Sequence, residues 1–495
     1  MTMKRLMLVC LLILCLLPVS VWAEENTDAL YPIREGDLWG YMNQAGELVI
    51  KPQWITAEAF SDGWAIVESD EGSGLIDACG MYVIQPSDCI RIEEYAYAYT
   101  VYDYNLEGYG FFDKASGYYQ APLADYEMII LWGEDGKGPI AVRNTDYLTG
   151  YVSRTTGETV IPFRYTGESE DAAFNEGYAL AANQAWLDEN DIWHEVLPDS
   201  EPMPDNMDEI RGWRCRYYLI DTTGKEVRFP DGLEPYTGIC QGVLVVHPDP
   251  FVQWEMPEDQ EEDIKPEAGD SDFFDSFGIA KPDGTVILEP QLLYYLWQPD
   301  SEGMLCYVGS SWGDCGHMNL NGEVIVPAKY RITTGGPIPY YTFVNGYAVI
   351  IDDIRPETRI VLLAKDGREV VSLPYRDGER FRKLLNVMSN GLVWSCTSGP
   401  DSIKRYRLFR VAENELIPLP ENTWEDVDTN GFAESVQAVC RNTLWGYINE
   451  QAQWVIPPQY DSAAGFRDGL ALVEQDGKLS YINHDGTVVW EEQWP

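Results

Sequence analysis

The sequence predicts an all-β protein built from tandem three-stranded antiparallel repeats that assemble into a β-propeller-like array. Two observations carry that expectation. The hexapeptide Leu38-Trp39-Gly40-Tyr41-Met42-Asn43 returns as Leu444-Trp445-Gly446-Tyr447-Ile448-Asn449, and degenerate copies fill the chain between them at a period of roughly 35 to 45 residues, the mark of a propeller, solenoid or similar array. Each copy also consists of short runs rich in β-branched and aromatic residues, bounded by Gly, Asp or Asn and too short for helices.

The unit is clearest in the last copy. Gly469-Leu470-Ala471-Leu472-Val473 forms a first strand, Lys478-Leu479-Ser480-Tyr481-Ile482-Asn483 a second and Thr487-Val488-Val489-Trp490 a third, joined by turns at Asp476-Gly477 and at Gly486. Second strands recur at 74–77, 110–113, 150–153, 218–221, 278–280, 316–319, 361–363 and 406–409, which with the opening and two closing copies makes eleven units. The first strand carries its own signature, aromatic-x-x-Gly-x-Ala, beginning at Phe60, Phe174, Phe343 and Phe466. Its alternation of small and apolar residues suits a strand with one face buried.

Each recurring residue has a physical role. Asn43, Asp77, Asp113, Asp221, Asn319, Asn449 and Asn483 end the second strand as turn formers, ahead of a glycine that supplies a positive φ. Prolines 52, 86, 122, 162, 230, 290, 327, 374, 418 and 457 are expected to close the third strand, because a residue without an N–H cannot extend the ladder. The Trp and Tyr of Trp-Gly-Tyr are expected to pack between neighbouring units rather than to stack on sugars. Together, Trp-Gly-Tyr-Ile/Met-Asn, Val-Ile-x-Pro and Phe-x-x-Gly-x-Ala resemble the WG-repeat family of bacterial proteins. The motifs are complete in the first and last units; between them Trp-Gly becomes Tyr-Gly, Thr-Gly or Phe-Gly, and spacing carries the match. The resemblance implies a β-rich repeat array, often extracytoplasmic, with no established catalytic residues to transfer. It leaves closure open between one ring, two rings and an open superhelix. Propellers typically hold about four to eight blades, so eleven units fit two rings or an open, gently curved array better than one ring.

Composition bounds the function. Met1 to Arg5 is followed by an apolar run from Leu6 to Leu17 and by Val21-Trp22-Ala23, the pattern of a signal peptide over residues 1–23. The repeat array then occupies 24–495, and the mature chain is expected to be secreted or extracytoplasmic, without membrane insertion. Cys15 lacks the small residues that would precede a lipidated cysteine. The formal net charge is −47, a field that repels phosphate and excludes nucleic acid as a partner. Such charge serves solubility, or gathers locally to bind Ca²⁺ or cationic surfaces. Eight cysteines follow the signal; Cys306 and Cys315, flanking one short turn, are the best candidates for a disulfide, and free buried thiols are the alternative for the rest. No CxxC pair is present, so a zinc site is not expected.

Two stretches break the repeat, 186–210 and 249–275, both between the first and second strands of consecutive units. They hold nine and eleven acidic residues, and are expected either to be solvated loops or to form an acidic crest that binds a cation or partner. Glu258, Asp259, Glu261, Glu262 and Asp263 are the weak metal candidates; neither stretch has EF-hand spacing, so any Ca²⁺ binding there should be weak, and no other cofactor is implied. Gly309-Ser310-Ser311-Trp312-Gly313 matches a nucleophile elbow in letters only, since it joins two strands rather than a strand and a helix. Trp193-His194-Glu195 has no second histidine for a zincin site. Asp103 and Asp352 end first strands, but nothing in the sequence says which acids converge. The expected function is therefore a non-catalytic binding or scaffold module at the bacterial surface, with a glycan, peptidoglycan or protein ligand. The competing class is an extracellular glycan hydrolase on the same scaffold.

Overall fold

The computed structural model describes residues 29–493 except 170, 189–191, 199–211, 231, 250–275, 294, 310–313, 332–340, 353–357, 378–379, 399–402 and 421–422. The described chain is all-β, eleven small antiparallel sheets in the order of an 11-blade propeller. Blades 1 to 11 span 31–54, 56–87, 90–123, 126–165, 178–221, 233–292, 295–331, 347–374, 376–418, 426–460 and 462–491. Each contains one of the eleven units read from the sequence.

The strands of every blade but the fifth form a meander, and most blades gain an edge strand ahead of the three expected ones. Blade 2, for example, runs Thr56–Ala57, Trp64–Ser69, Gly72–Asp77 and Tyr82–Ser87 in spatial as well as chain order. This extra strand continues the third strand of the preceding blade: Leu48–Trp54 pairs within blade 1, and after Ile55 the chain pairs within blade 2. Trp454–Tyr460 and Ser462–Ala463 repeat this step between blades 10 and 11. The aromatic-x-x-Gly signature marks the tight hairpin that follows. Ser61 bridges to Trp64 around Asp62 and Gly63, whose φ values of 51° and 87° place both in the left-handed region.

The apolar core lies between blades, and it closes on itself. Tyr41, Ile50 and Trp54 of blade 1 pack on Phe60, Ala65, Val67 and Ile76 of blade 2, and equivalent clusters join each blade to the next as far as blades 10 and 11. An eleventh cluster joins the ends: Tyr31, Ile33 and Met42 of blade 1 pack against Leu470 and Tyr481 of blade 11. Arg34 Nε pairs with Glu492 Oε1 at 2.6 Å, the Tyr31 hydroxyl donates to the Asp468 carbonyl at 2.6 Å, and Arg467 Nη2 reaches the Phe60 carbonyl at 2.6 Å. The expectation that two rings or an open array fit better than one ring is thus corrected. Small three- to five-stranded sheets need turn by only about 33° per blade to close one ring of eleven.

The Tyr of Trp-Gly-Tyr does pack between units. Tyr41 is fully buried, donates to the Glu58 carbonyl at 2.8 Å and meets Phe60 edge-on at 4.7 Å. Tyr447 repeats both contacts with the Ala464 carbonyl and Phe466, at 2.7 and 4.9 Å. Two sequence signatures are thereby one lock, tyrosine of one blade against phenylalanine of the next. The turn formers also behave as expected: Asn43 Oδ1 accepts from the amides of Ala45 and Glu47, and Asn319, Asn449, Asn483, Asp77 and Asp221 do the same in their turns.

The prolines require a correction. Pro52, Pro86, Pro122, Pro162, Pro290, Pro327 and Pro457 lie inside their third strands rather than closing them. Each sits in a bulge opposite the glycine of its own second strand. In blade 10, Tyr447 pairs with Ile456 and Trp445 with Tyr460, leaving Pro457, Pro458 and Gln459 opposite Gly446. A Cβ on Gly446 would meet the Ile456 carbonyl oxygen at 2.5 Å and the Pro458 nitrogen at 2.8 Å; Gly40, Gly110, Gly278 and Gly316 face backbone in the same way. Proline needs no ladder partner, so the strand bulges there, and only glycine admits the bulged backbone. Units without the glycine confirm the coupling. At the equivalent position, Val361 in blade 8 and Ser480 in blade 11 face third strands that pair regularly around them, and Tyr218 in blade 5 faces no third strand beyond a single Ile220–Glu226 bridge.

Candidate binding cleft

Blades 5 to 8 form a cleft of about 480 Å³ at the N-terminal ends of their first strands. Its wall is the edge strand of blade 7, Tyr295–Pro299, which presents half-buried Tyr295, Trp297 and Gln298. The rings of Tyr295 and Trp297 lie 4.4 Å apart, and Tyr295 is backed by Phe277 at 5.7 Å and Tyr236 at 6.2 Å. Tyr341 and Phe343, leading into blade 8, complete the aromatic lining.

Two carboxylates face this cleft, and both are held by backbone amides. Asp171 Oδ2 accepts from the Gly238 amide at 2.7 Å and from Gln298 Nε2 at 2.9 Å. Asp300 accepts from the amides of Glu302 and Met304 with one oxygen, and from Phe343 at 2.6 Å with the other. Carboxylates in that role order the chain between blades; they are not presented as a free acid and nucleophile.

Behind the cleft lies His317, at the position that Tyr41 and Tyr447 occupy in their own blades. It preserves the lock: Nε2 is 3.0 Å from the Tyr341 carbonyl and the ring meets Phe343 edge-on at 5.0 Å. Nε2 is therefore the protonated nitrogen, and buried Nδ1 has no partner among the described residues. Burial lowers the His317 pKa below its ordinary value, partly offset by the bond to Tyr341. Cys306 and Cys315 lie beside it, diagonal to one another across the hairpin, since Cys306 pairs with His317 and Val308 with Cys315. Both are buried free thiols, as are the other described cysteines free, so no disulfide joins the pair in this structure. Their mutual hydrogen bond, and then burial, push the Cys306 thiol well above its ordinary range.

The residues singled out from sequence do not gather here. Glu258, Asp259, Glu261, Glu262 and Asp263 lie outside the described residues, as do residues 1–28 and Ser310 to Gly313. Among the described residues no group of three or more His, Cys, Asp or Glu could hold a metal ion. His194 is stacked on Trp186 at 4.4 Å and bonded to Asp188 at 3.0 Å, within the hairpin that begins the first insertion. Asp103 caps a turn through the amides of Asn105 and Leu106, while fully buried Asp352 pairs with Arg359 at 2.8 Å; they belong to blades 3 and 8. The insertions leave blades 5 and 6 at the C-terminal ends of first strands, the opposite end from the cleft.

The cleft residues were missed because the edge strand was not expected. The signal was present in Tyr294-Tyr295-Leu296-Trp297, a strand-like run just before a first strand.

The family model for the WG containing repeat matches residues 39–71 and 445–478. The chain carries WG repeats in both of these segments. The two matched segments flank the seam of the ring, one in blades 1 and 2 and the other in blades 10 and 11. No curated protein matches this WG-repeat chain. Among solved structures it is similar to the dihydro-heme d1 dehydrogenase NirN, at 12% identity over 74% of this chain and 75% of that one, with a TM-score of 0.29. It is also similar to Porphyromonas gingivalis dipeptidyl peptidase 4, at 12% identity over 83% and 63% of the two chains, with a TM-score of 0.32. Similarity at that level carries no chemistry to the WG-repeat ring.

Among the described residues no helix is long and apolar enough to cross a membrane.

Proposed function

We propose that this WG-repeat ring is a non-catalytic binding or scaffold module outside the cytoplasm, and that its ligand is a surface glycan. The observation that carries the reading is the cleft of blades 5 to 8, where Tyr295 and Trp297 stand half-exposed beside carboxylates already engaged by backbone amides. Aromatic faces flanked by fixed polar groups suit the apolar face and hydroxyls of a sugar ring. The signal-like residues 1–23 support an extracytoplasmic location, and the acid-rich stretches 186–210 and 249–275 supply carboxylates on which Ca²⁺ could act.

The test is to incubate purified mature chain with isolated cell walls, with and without Ca²⁺, measuring protein in the pellet and sugar in solution. Saturable pelleting without sugar release is expected. Trp297→Ala should weaken it about tenfold or more, the loss expected for one aromatic anchor in a binding site. Sugar release at catalytic levels would overturn the reading in favour of a hydrolase, and pelleting indifferent to Trp297→Ala would move the site elsewhere.

A further inference from the structure

The strongly acidic chain contains one basic region. Residues 359–410 hold eleven Lys and Arg against five Asp and Glu, a net +6, so the remainder carries −53. These residues form most of blades 8 and 9, and the cross-strand register gathers several of them on one face. Thr397 pairs with Arg405, and Ser395 with Arg407. Because alternate residues of a strand share a face, Arg405, Arg407 and Phe409 stand in line beside Ser395 and Thr397.

That face opens into a second cleft, of about 470 Å³, whose far wall is Val371 and Leu373 of blade 8. Arg407 is exposed and has no ion pair or side-chain hydrogen bond among the described residues, although acidic residues outnumber basic ones more than twofold, 81 to 34. Among the described residues, exposed Lys404 and Arg410 on the same strand have no ion pair either. Among the described residues the only acid lining the cleft is Glu415. A guanidinium presents a planar fork that matches two oxygens of a carboxylate or phosphate, while Phe409, Val371 and Leu373 offer an apolar surface in the same cleft.

We propose that this cleft binds an acidic sugar, its carboxylate or phosphate oxygens held by Arg405 and Arg407 and its ring against Phe409 and the Val371–Leu373 wall. The site is separate from the aromatic cleft and stands whether or not that cleft binds glycan. A neutral ligand would leave the guanidinium of Arg407 unused. A long polyanion would meet the repulsion of the surrounding −53, so a short acidic segment or a single acidic residue of a mixed glycan fits best.

The experiment titrates the full mature chain by calorimetry with trigalacturonate, glucose 6-phosphate, neutral galactotriose and an oligoglutamate. Saturable binding of one or both acidic sugars is expected, at least tenfold tighter than galactotriose, and which of the two binds identifies the oxyanion. Arg407→Gln, at an exposed position, should weaken that binding about tenfold while leaving the near-UV spectrum unchanged. Trp297→Ala should leave it intact, which separates this site from the aromatic cleft. Binding of galactotriose as tight as trigalacturonate, no binding of either acidic sugar, or full affinity in Arg407→Gln would each overturn the proposal; oligoglutamate binding as tightly as the acidic sugars would overturn the assignment to a sugar.

Discussion

Replacing Gly446 with alanine tests the coupling of glycine to the proline bulge. The new methyl would lie 2.5 Å from the Ile456 carbonyl oxygen and 2.8 Å from Pro457 and Pro458 backbone atoms, closer than carbon and oxygen approach without repulsion. Relief requires the third strand to move out by about 1 Å. That strand carries Ile456 and Tyr460, both buried in the interface with blade 11, and after Asp461 it becomes the edge strand of blade 11. Overpacking of this kind costs about 1 to 3 kcal/mol, against which alanine recovers about 0.5 to 1 kcal/mol of chain entropy relative to glycine. A net loss of about 1 to 2 kcal/mol is therefore expected, concentrated in blades 10 and 11. Ser480→Ala is the control, because that position already bears a Cβ and its third strand pairs regularly; it should change stability by no more than about 0.5 kcal/mol. Hydrogen exchange read peptide by peptide is the suitable assay, since an array of eleven units need not unfold in one step. Gly446→Ala should lose protection over 454–463 while blades 4 to 7 keep theirs. Unchanged protection there, or equal losses in the two variants, would refute the argument.

His317 should make blade 7 and blade 8 acid-sensitive. Its folded pKa is lowered, so the unfolded chain binds more protons as pH falls below the ordinary histidine value; the stability it contributes is present above that value and lost as pH drops toward the folded pKa. His317→Tyr restores the residue used by Tyr41 and Tyr447, and thermal scans from pH 7 to 5 should show a flatter dependence than wild type; equal slopes would count against the assignment. At the seam, Arg34→Ala leaves the nearly buried carboxylate of Glu492 without its partner, at a cost of about 1 to 3 kcal/mol. The bond from Arg34 lowers the Glu492 pKa, so the difference between wild type and variant should be full above the ordinary carboxylate range and vanish as pH falls through the folded value; denaturation midpoints at pH 7 and pH 3 measure it. Deleting blade 1, residues 24–54, should open the ring, raising the radius of gyration in X-ray scattering and exposing blade 11 to protease, whereas an unchanged radius would deny that closure depends on the seam.

Repeat number, strand type, turn chemistry and the packing role of Tyr41 were legible because each recurs along the chain, the strand pattern in all eleven units and the turn-forming Asn or Asp in seven, and a recurring residue averages out local accidents. Ring closure was not legible. It depends on Tyr31, Ile33, Leu470 and Tyr481 meeting across more than 400 residues, and no local pattern encodes the small angle between blades. The bulge was visible only in halves. Trp-Gly and Val-Ile-x-Pro were each read as separate local devices, a motif glycine and a strand terminator, whereas the register shows one packing solution seen from two strands. The aromatic cleft was illegible for a similar reason, since its wall is an edge strand supplied by the chain on its way between blades.

What the repeat hides, its exceptions disclose. A residue that returns in every unit is accounted for by the fold, so evidence of function must lie where a unit departs from the pattern and the blade still forms. Those departures are not spread evenly. Blade 5 has Tyr218 for the glycine and loses its third strand; blades 5 and 6 carry the acidic insertions; blade 7 has His317 for the tyrosine and presents Trp297; blade 8 has Val361 for the glycine; blade 9 is basic. Most fall in consecutive blades, 5 to 9, with Ser480 of blade 11 the exception, while blades 1 to 4 and 10 keep the motif glycine and its bulge. A ring with one regular arc and one irregular arc is what selection would leave if the first arc only closes the structure and the second meets the ligand. Both clefts lie in the irregular arc, and mutations that abolish binding without unfolding should be found there.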